Sequence, residues 1–191
     1  SVENALRVLL ALGGSTNALV HLAAIAGRVG IPVDLRRLDR LSEETPVLVD
    51  LKPTGEGYME DFHAAGGLVA LLRELKDLLH LGCKDLYGNT LEQRIAEGPA
   101  FVDRAIIHAR DNPVSPVGGL ISLFGSLAPD GAILKRSAAT PALFEIEARC
   151  VVFDGLEDLA RRIDDEALDV TPEDILVLKG AGPLSPAGMP E

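Results

Sequence analysis

Asp111-Asn112-Pro113-Val114-Ser115-Pro116-Val117-Gly118-Gly119 separates two stretches of unlike character. Its prolines, glycines and short polar residues fix or free the backbone in ways that suit turns, which makes it the strongest candidate for a domain boundary. Upstream, apolar residues recur with the period of a helix. Downstream, short apolar runs alternate with turns at Leu120 to Phe124, Ala132 to Leu134, Cys150 to Phe153 and Ile175 to Leu178. One helix, Leu156 to Ile163, interrupts them, with Asp154-Gly155 leading into it. The pattern is that of an α/β chain whose second half is rich in strands.

Upstream of the boundary, Val2 to Leu12 places apolar residues at 2, 5, 6, 8, 9, 10 and 12, a wide helical face already running at residue 2. So abrupt a start, without Met, leads us to expect further residues before Ser1. Gly13-Gly14-Ser15-Thr16-Asn17 then interrupts the pattern, and a second apolar helix is predicted from Ala18 to about Val29. Ser, Thr and Asn cap helices, and glycine permits the sharp turn before them. Gly30-Ile31-Pro32 closes that helix, and Leu35 to Ser42 reads as a short polar one. Val47-Leu48-Val49, flanked by Pro46 and by Lys52-Pro53-Thr54-Gly55, is expected to be a buried strand leaving into a turn, where α/β proteins place ligands. Further helices are expected over Tyr58 to Ala65, broken by Gly66-Gly67, over Leu68 to Leu79, and over Thr90 to Ala96 with Thr90 as cap.

Composition narrows the function. With 191 residues, 47% hydrophobic and 25% charged, the chain has enough apolar material for a sizeable core and too much for wholesale disorder. Aromatic residues are only 4% and Trp is absent, so Ala, Leu and Val must carry that core. A net charge of −11 repels a phosphate backbone, which argues against nucleic-acid binding. The longest apolar window, Ala18 to Ala26, is interrupted by His21 and is too short to span a membrane. Cys83 and Cys150 make no disulfide framework, and Ser1-Val2-Glu3-Asn4 lacks a basic signal region, so a reducing, cytoplasmic location is expected.

Two turns are ready for ligands. Backbone N–H groups and hydroxyls at Ser15, Thr16 and Asn17, set at a helix start, could receive a carboxylate or phosphate. The alternative is an ordinary helix–helix turn in which Ser15 or Thr16 caps the next helix, and spacing favours it, since the stretch is neither a P-loop nor a dinucleotide fingerprint. Glu60 and Asp61 could offer oxygens to a divalent cation beside His63. Neighbours in a helix diverge by about 100°, so an acidic first turn complementing the helix dipole stands beside that reading. His21, His63, His80 and His108 show no metal-binding spacing, and neither cysteine has a CxxC partner.

The same turns, taken in order, carry a resemblance. Ala11 to Ala18, Asp50-Leu51-Lys52-Pro53-Thr54-Gly55, Met59-Glu60-Asp61-Phe62 with Ala65-Gly66-Gly67, Asp111-Asn112-Pro113, Gly118-Gly119, Leu127 to Ala132, and Gly188-Met189-Pro190-Glu191 occur in succession. This series resembles the dihydroxy-acid dehydratase and aldonic-acid dehydratase family, over the whole chain. Family members are much longer, so the resemblance implies a central fragment. It also implies an iron–sulfur cluster that binds the leaving 3-hydroxyl as a Lewis acid and a magnesium ion (Mg) that grips the substrate carboxylate and 2-hydroxyl. A base removes the C2 proton, water leaves from C3, and the enol becomes a 2-keto acid. The family's cluster cysteines, magnesium-binding aspartate and modified lysine fall before Ser1, and its catalytic serine beyond Glu191. Cys83 and Cys150 do not match the cluster positions, so no catalytic residue is expected within these residues. Glu191 alone carries over, as a magnesium ligand.

The resemblance implies that residues 1–109 are the latter part of an α/β domain and residues 110–191 the first part of a β-rich, barrel-like domain. Leu71-Leu72-Arg73-Glu74-Leu75, Lys135-Arg136-Ser137-Ala138-Ala139 and Arg149-Cys150-Val151-Val152-Phe153 are more similar to sugar-acid dehydratases than to the branched-chain enzyme. Gly82-Cys83-Lys84, His108-Ala109-Arg110, Ser126 and Leu184-Ser185-Pro186-Ala187 depart from the family pattern. The expected parent is a hydro-lyase converting a sugar acid to its 2-keto-3-deoxy product. Its expected partner is a small hydroxy-acid substrate, with no nucleic acid and no membrane, and it is expected to be a homo-oligomer. Dihydroxy-acid dehydration in branched-chain amino-acid synthesis is the alternative, and a non-catalytic ligand-binding fragment is a third reading. The fragment alone is expected to be inactive.

Overall fold

A computed structural model of the chain describes residues 1–182. Leu184 to Ala187 and the Gly-Met-Pro-Glu motif ending in Glu191 lie outside the described residues. The chain divides into two compact units, Ser1–Ala139 and a second beginning at Thr140.

In the first unit, helix α1 (Val2–Ala11) is the shared wall of two cores. Its wide apolar face puts Leu6, Leu9 and Leu10 against Leu19, Leu38, Leu41 and Leu120. Ala11, on the other side, joins Leu48, Val49, Phe62, Leu71, Leu75 and Ile107. Each fully buried leucine contributes roughly 1.5–3 kcal/mol, and Phe62 is the sole aromatic in either cluster, as the sparse aromatic content requires. Helix α2 (Thr16–Arg28) follows the glycine turn. Helix α3 (Leu35–Glu44) begins where the Asp34 carboxylate accepts the Arg36 N–H at 2.9 Å, satisfying one of the orphan donors of a first turn. Helices α4 (Met59–Ala64) and α5 (Gly67–Glu74) meet at Gly66, whose φ of +114° is open to glycine alone. A Cβ there would also stand 2.6 Å from the Phe101 carbonyl oxygen. Helix α6 (Leu91–Glu97) is capped reciprocally by Thr90 and Gln93.

Val47-Leu48-Val49 is buried as expected, but it is not a ladder strand. It makes single bridges, Val47 to Ser115 and Val49 to Ile107. The N–H groups of Leu48 and Val49 both donate to the Ala11 carbonyl, at 2.8 and 3.3 Å. That carbonyl belongs to the last turn of α1, where oxygens lack helical partners. A helix end thus takes the place of a neighbouring strand, which is why the β-branched run joins no sheet.

The Asp111 to Gly119 stretch is hydrogen-bonded into the first unit. Val114 donates to Val47 at 2.9 Å, Gly118 donates to Ser42 at 2.7 Å, and the Arg136 guanidinium donates to the Gly118 carbonyl at 2.9 Å. Strand β1 (Leu120–Leu123) then pairs antiparallel with β2 (Ala132–Lys135), Leu120 opposite Lys135. β1 is fastened to α3 by the Ser122 hydroxyl, which donates to the Leu35 carbonyl at 2.7 Å.

The second unit is built on strand β3 (Cys150–Phe153), helix α7 (Leu156–Arg162) and strand β4 (Ile175–Leu178), with β4 parallel to β3. Parallel neighbours need such a crossover. Val151 and Phe153 are buried, and Arg149, at the foot of β3, binds Asp169 at 2.6 Å and Asp174 at 2.7 Å. Its hydrogen bonds with Arg149, and those from Thr171, hold the Asp174 carboxyl well below the usual range.

Candidate functional site

Four segments far apart in sequence meet at the glycine corner of the first unit. α1 ends at Ala11, Gly13 turns with φ +60°, and Ser15 starts α2. The 47–49 segment is tied to Ala11, and a Cβ on Gly119 would lie 3.1 Å from the Gly13 Cα and 3.0 Å from the Ser137 Oγ. Gly118 is packed as closely, its Cβ position 2.6 Å from the Ser42 Oγ. Gly119 thus lets its backbone approach that of Gly13, and Gly118 lets the chain press on Ser42.

At this corner the Ser15 hydroxyl oxygen accepts the Asn17 N–H at 3.1 Å, the geometry of a helix cap. Gly13 donates to Leu10, Gly14 to Leu9 and Ala18 to Ser15, at 3.0–3.1 Å. Most of the donors an anion would need are thus used within the turn. The N–H groups of Ser15 and Thr16 are left without a partner among the described residues, next to the positive end of α2. Thr16 and Asn17 are half-buried and Ser15 is exposed.

The second candidate, the loop from Asp50 to Tyr58, is closed on itself. Asp50 Oδ1 accepts the Glu56 N–H at 3.0 Å, Gly55 donates to Leu51, and Lys52 Nζ donates to the Tyr58 hydroxyl at 2.6 Å. The Asp61 carboxylate accepts the Tyr58 N–H at 2.8 Å, so it caps α4, and Glu60 is exposed beside it. This is the acidic first turn complementing a helix dipole. No hydrogen bond or ion pair joins Glu60 or Asp61 to Ser15, Thr16 or Asn17.

Among the described residues no three His, Cys, Asp or Glu side chains converge as a metal site. Cys83 in the first unit and Cys150 in the second are free thiols. The donor set present here therefore does not fit an iron–sulfur cluster or a magnesium ion, and Glu191 lies outside the described residues.

Sequence reasoning missed a polar network at the start of α1. Arg7 is buried and donates to Thr45 Oγ1 at 3.0 Å and Glu44 at 2.7 Å. Glu3 pairs with Arg37 and lies 3.1 Å from His80 Nε2. Burial pushes the Glu3 carboxyl up, but Arg37 and His80 outweigh it and hold the group below its usual range. Asn4 clamps the His80 backbone, donating to its carbonyl at 3.0 Å and accepting its N–H at 2.9 Å. A cavity of about 330 Å³ lies beside this network, lined by Ile31, Pro32, Val33, Arg37 and His80. A largely apolar one of about 430 Å³ runs between Val8, Leu68, Leu72 and Leu91, with Cys83 and Arg94 at its rim. Contacts between residues so distant in sequence follow no local period, and no signal in the sequence marks them.

Comparison with known proteins shows the family. The signature of the dihydroxy-acid/6-phosphogluconate dehydratase N-terminal region matches residues 1–94, and that of the C-terminal region of the same enzymes matches residues 105–191. The chain belongs to the dihydroxy-acid/6-phosphogluconate dehydratase family. Within it, the chain is 45% identical over 193 residues to 6-deoxy-6-sulfo-D-gluconate dehydratase of Pseudomonas putida, covering 100% of this chain and 33% of that protein. It is 44% identical to L-arabonate dehydratase of Azospirillum brasilense, over 99% of this chain and 33% of that protein. Dihydroxy-acid dehydratase of Methanospirillum hungatei JF-1 is 40% identical, over 100% of this chain and 34% of its own length. The chain thus spans about a third of the length of the curated relatives it matches. No helix among the described residues is long and apolar enough to cross a membrane.

Proposed function

We propose that this chain is part of a hydro-lyase that converts a sugar acid to its 2-keto-3-deoxy acid. The observation that carries the reading is the likeness at 44–45% identity, over essentially the whole chain, to proteins named for sulfogluconate and arabonate dehydration. In that reaction the C2 proton and the C3 hydroxyl leave together as water, and the enol left behind takes a proton at C3 to become the ketone. Dihydroxy-acid dehydration is kept as a second reading because a protein of that name is 40% identical.

The iron–sulfur cluster and magnesium ion expected for this chemistry would draw their ligands from elsewhere in the polypeptide, with Glu191 as the one candidate from this chain. Ser15, Thr16 and Asn17 are proposed to face the substrate through the two free N–H groups of the α2 start, which suit a carboxylate. Glu60 and Asp61 remain candidates of lower rank, since Asp61 is committed to a cap. We read residues 1–109 as the end of an α/β domain and 110–191 as the beginning of a barrel-like one, supported by the family signatures meeting between 94 and 105. The intact enzyme is proposed to be a cytoplasmic homo-oligomer.

The test is formation of 2-keto acid by the anaerobically purified intact protein, offered gluconate, arabinonate, xylonate, galactonate and dihydroxyisovalerate. Turnover of an aldonate with little turnover of dihydroxyisovalerate is the expected result. Turnover of dihydroxyisovalerate alone would favour the second reading, and turnover of none would remove both.

A further inference from the structure

We propose that Asp154-Gly155, in the turn between β3 and α7, is a site of spontaneous covalent modification at which the aspartate converts to isoaspartate through a succinimide ring. The carboxyl carbon of an aspartate side chain is open to attack by the backbone nitrogen of the next residue. Glycine there makes the approach easiest, since it has no Cβ in the way and the widest choice of backbone angles. The chain holds two such pairs, Asp130-Gly131 and Asp154-Gly155. Their surroundings differ. The Gly131 N–H donates to the Ala128 carbonyl at 3.0 Å, and a Cβ built on Gly131 would stand 2.6 Å from Leu35 Cδ1 and 3.0 Å from Phe124 Cε1. The nitrogen is thus engaged, and its peptide plane cannot turn without displacing a leucine and a phenylalanine.

Gly155 is open on both counts. A Cβ there meets nothing within 4 Å, and its N–H has no hydrogen-bond partner among the described residues. The Asp154 side chain is 81% exposed, and its carboxylate lies 3.0 Å from Lys179 Nζ. Lys179 is itself mostly exposed, and a pair of that kind restrains a side chain weakly. The Asp154 N–H is fixed by the Asp158 carboxylate at 3.1 Å, so the freedom of the turn lies on the Gly155 side, where the attacking nitrogen sits. In the reaction the Asp154 carboxylate takes a proton from solvent, the Gly155 nitrogen bonds to Cγ, and the amide proton leaves with a carboxyl OH as water. Water then opens the ring. Opening at Cγ restores aspartate. Opening at the main-chain carbonyl routes the backbone through the side chain, adds a methylene to the main chain between β3 and α7, and leaves the former main-chain carbonyl as a carboxylic acid that returns the proton. Water is the only co-reactant, and no other part of the polypeptide takes part.

The two pairs supply an internal comparison. The intact protein would be kept at neutral pH in water enriched in heavy oxygen, then digested in ordinary water and mapped by mass spectrometry. Each ring opening leaves one heavy oxygen at the aspartate concerned, and electron-transfer fragmentation separates isoaspartate from aspartate. A hydrogen bond of ordinary net strength makes the free nitrogen about two- to tenfold rarer at Gly131, and the packing around that residue adds to the difference. Label and isoaspartate are therefore expected to accumulate at Asp154 at least about fivefold faster than at Asp130. In denaturant the two pairs should react alike, because only their shared dipeptide sequence then acts. Asp154→Glu, which would have to close a larger and less favoured ring, should lose the label at 154 and keep the slow reaction at Asp130. Equal rates at the two sites in the folded protein, a faster reaction at Asp130, a preference for Asp154 that persists in denaturant, or no label at Asp154 would each overturn the proposal.

Discussion

Replacing Asn4 by Ala tests the long-range clamp at the start of α1. The Asn4 side chain is buried, and its two hydrogen bonds hold the backbone of a residue 76 positions away, at 3.0 and 2.9 Å. A net contribution of about 1 kcal/mol for each bond gives about 2 kcal/mol. Because the clamp restrains the segment around His80 more than the whole fold, the loss falls on local opening. At about 1.4 kcal/mol per factor of ten, the His80 amide is predicted to exchange with solvent deuterium roughly 30-fold faster in Asn4→Ala. Amides of the β1–β2 hairpin, which shares no hydrogen bond with Asn4 or His80, should change little. Asn4→Asp keeps the acceptor for the His80 N–H and loses the donor to its carbonyl, so it should accelerate exchange by about fivefold. Native-state hydrogen exchange followed by NMR or mass spectrometry reads both. Unchanged protection at His80 in Asn4→Ala, or an equal loss across the first unit, would refute the reasoning.

Other outcomes follow from single contacts. Leu48→Ala empties a fully buried position between α1 and the Ile107 segment and should cost about 2–5 kcal/mol, read as a lower denaturation midpoint of the first unit. Gly118→Ala drives a Cβ to 2.6 Å from the Ser42 Oγ and 3.1 Å from its Cα, and should cost about 1–3 kcal/mol in the same measurement. Ser15→Ala removes a cap worth about 1 kcal/mol; if the corner also faces substrate, KM rises beyond what Thr90→Ala, a cap lost elsewhere, produces. The Asp174 carboxyl is depressed, so its link to Arg149 stabilises the second unit above the ordinary carboxylate pKa of 3.8 and is lost only as pH falls through the lower folded value. Exchange protection across β3 and β4 should therefore persist down to about pH 4, and its loss between about pH 6 and 5 would contradict the pairing.

Elements set by local chemistry were legible in the sequence. α1, α3 and α6 lie on the predicted segments, α6 with Thr90 as its expected cap, and β1 to β4 fall on the four short apolar runs. α2 starts at Thr16, two residues before the predicted Ala18, because Ser15 takes the cap. Features set by distant contacts were not legible. Val47 to Val49 read as a strand from its β-branched composition, yet the Leu48 and Val49 donors go to the end of α1, and nothing in three residues announces a helix carbonyl as partner. The turn formers of Asp111 to Gly119 were legible, but not that Gly118 and Gly119 press against Ser42 and Gly13. The Asn4 to His80 clamp and the Arg7 to Thr45 bond follow no period at all. For the site, capping by the Gly13 to Asn17 turn and the acidic first turn of α4 were both legible, and the hydrogen bonds of Ser15 and Asp61 realise them.

The dehydration itself is tested most directly by one measurement, the NMR spectrum of the product that the intact protein forms from an aldonic acid in deuterium oxide. Loss of the C2 proton, departure of the C3 hydroxyl and ketonisation from solvent predict a 2-keto-3-deoxy acid carrying one deuteron at C3. A product that keeps its C2 proton, or that retains the C3 hydroxyl, would contradict the account.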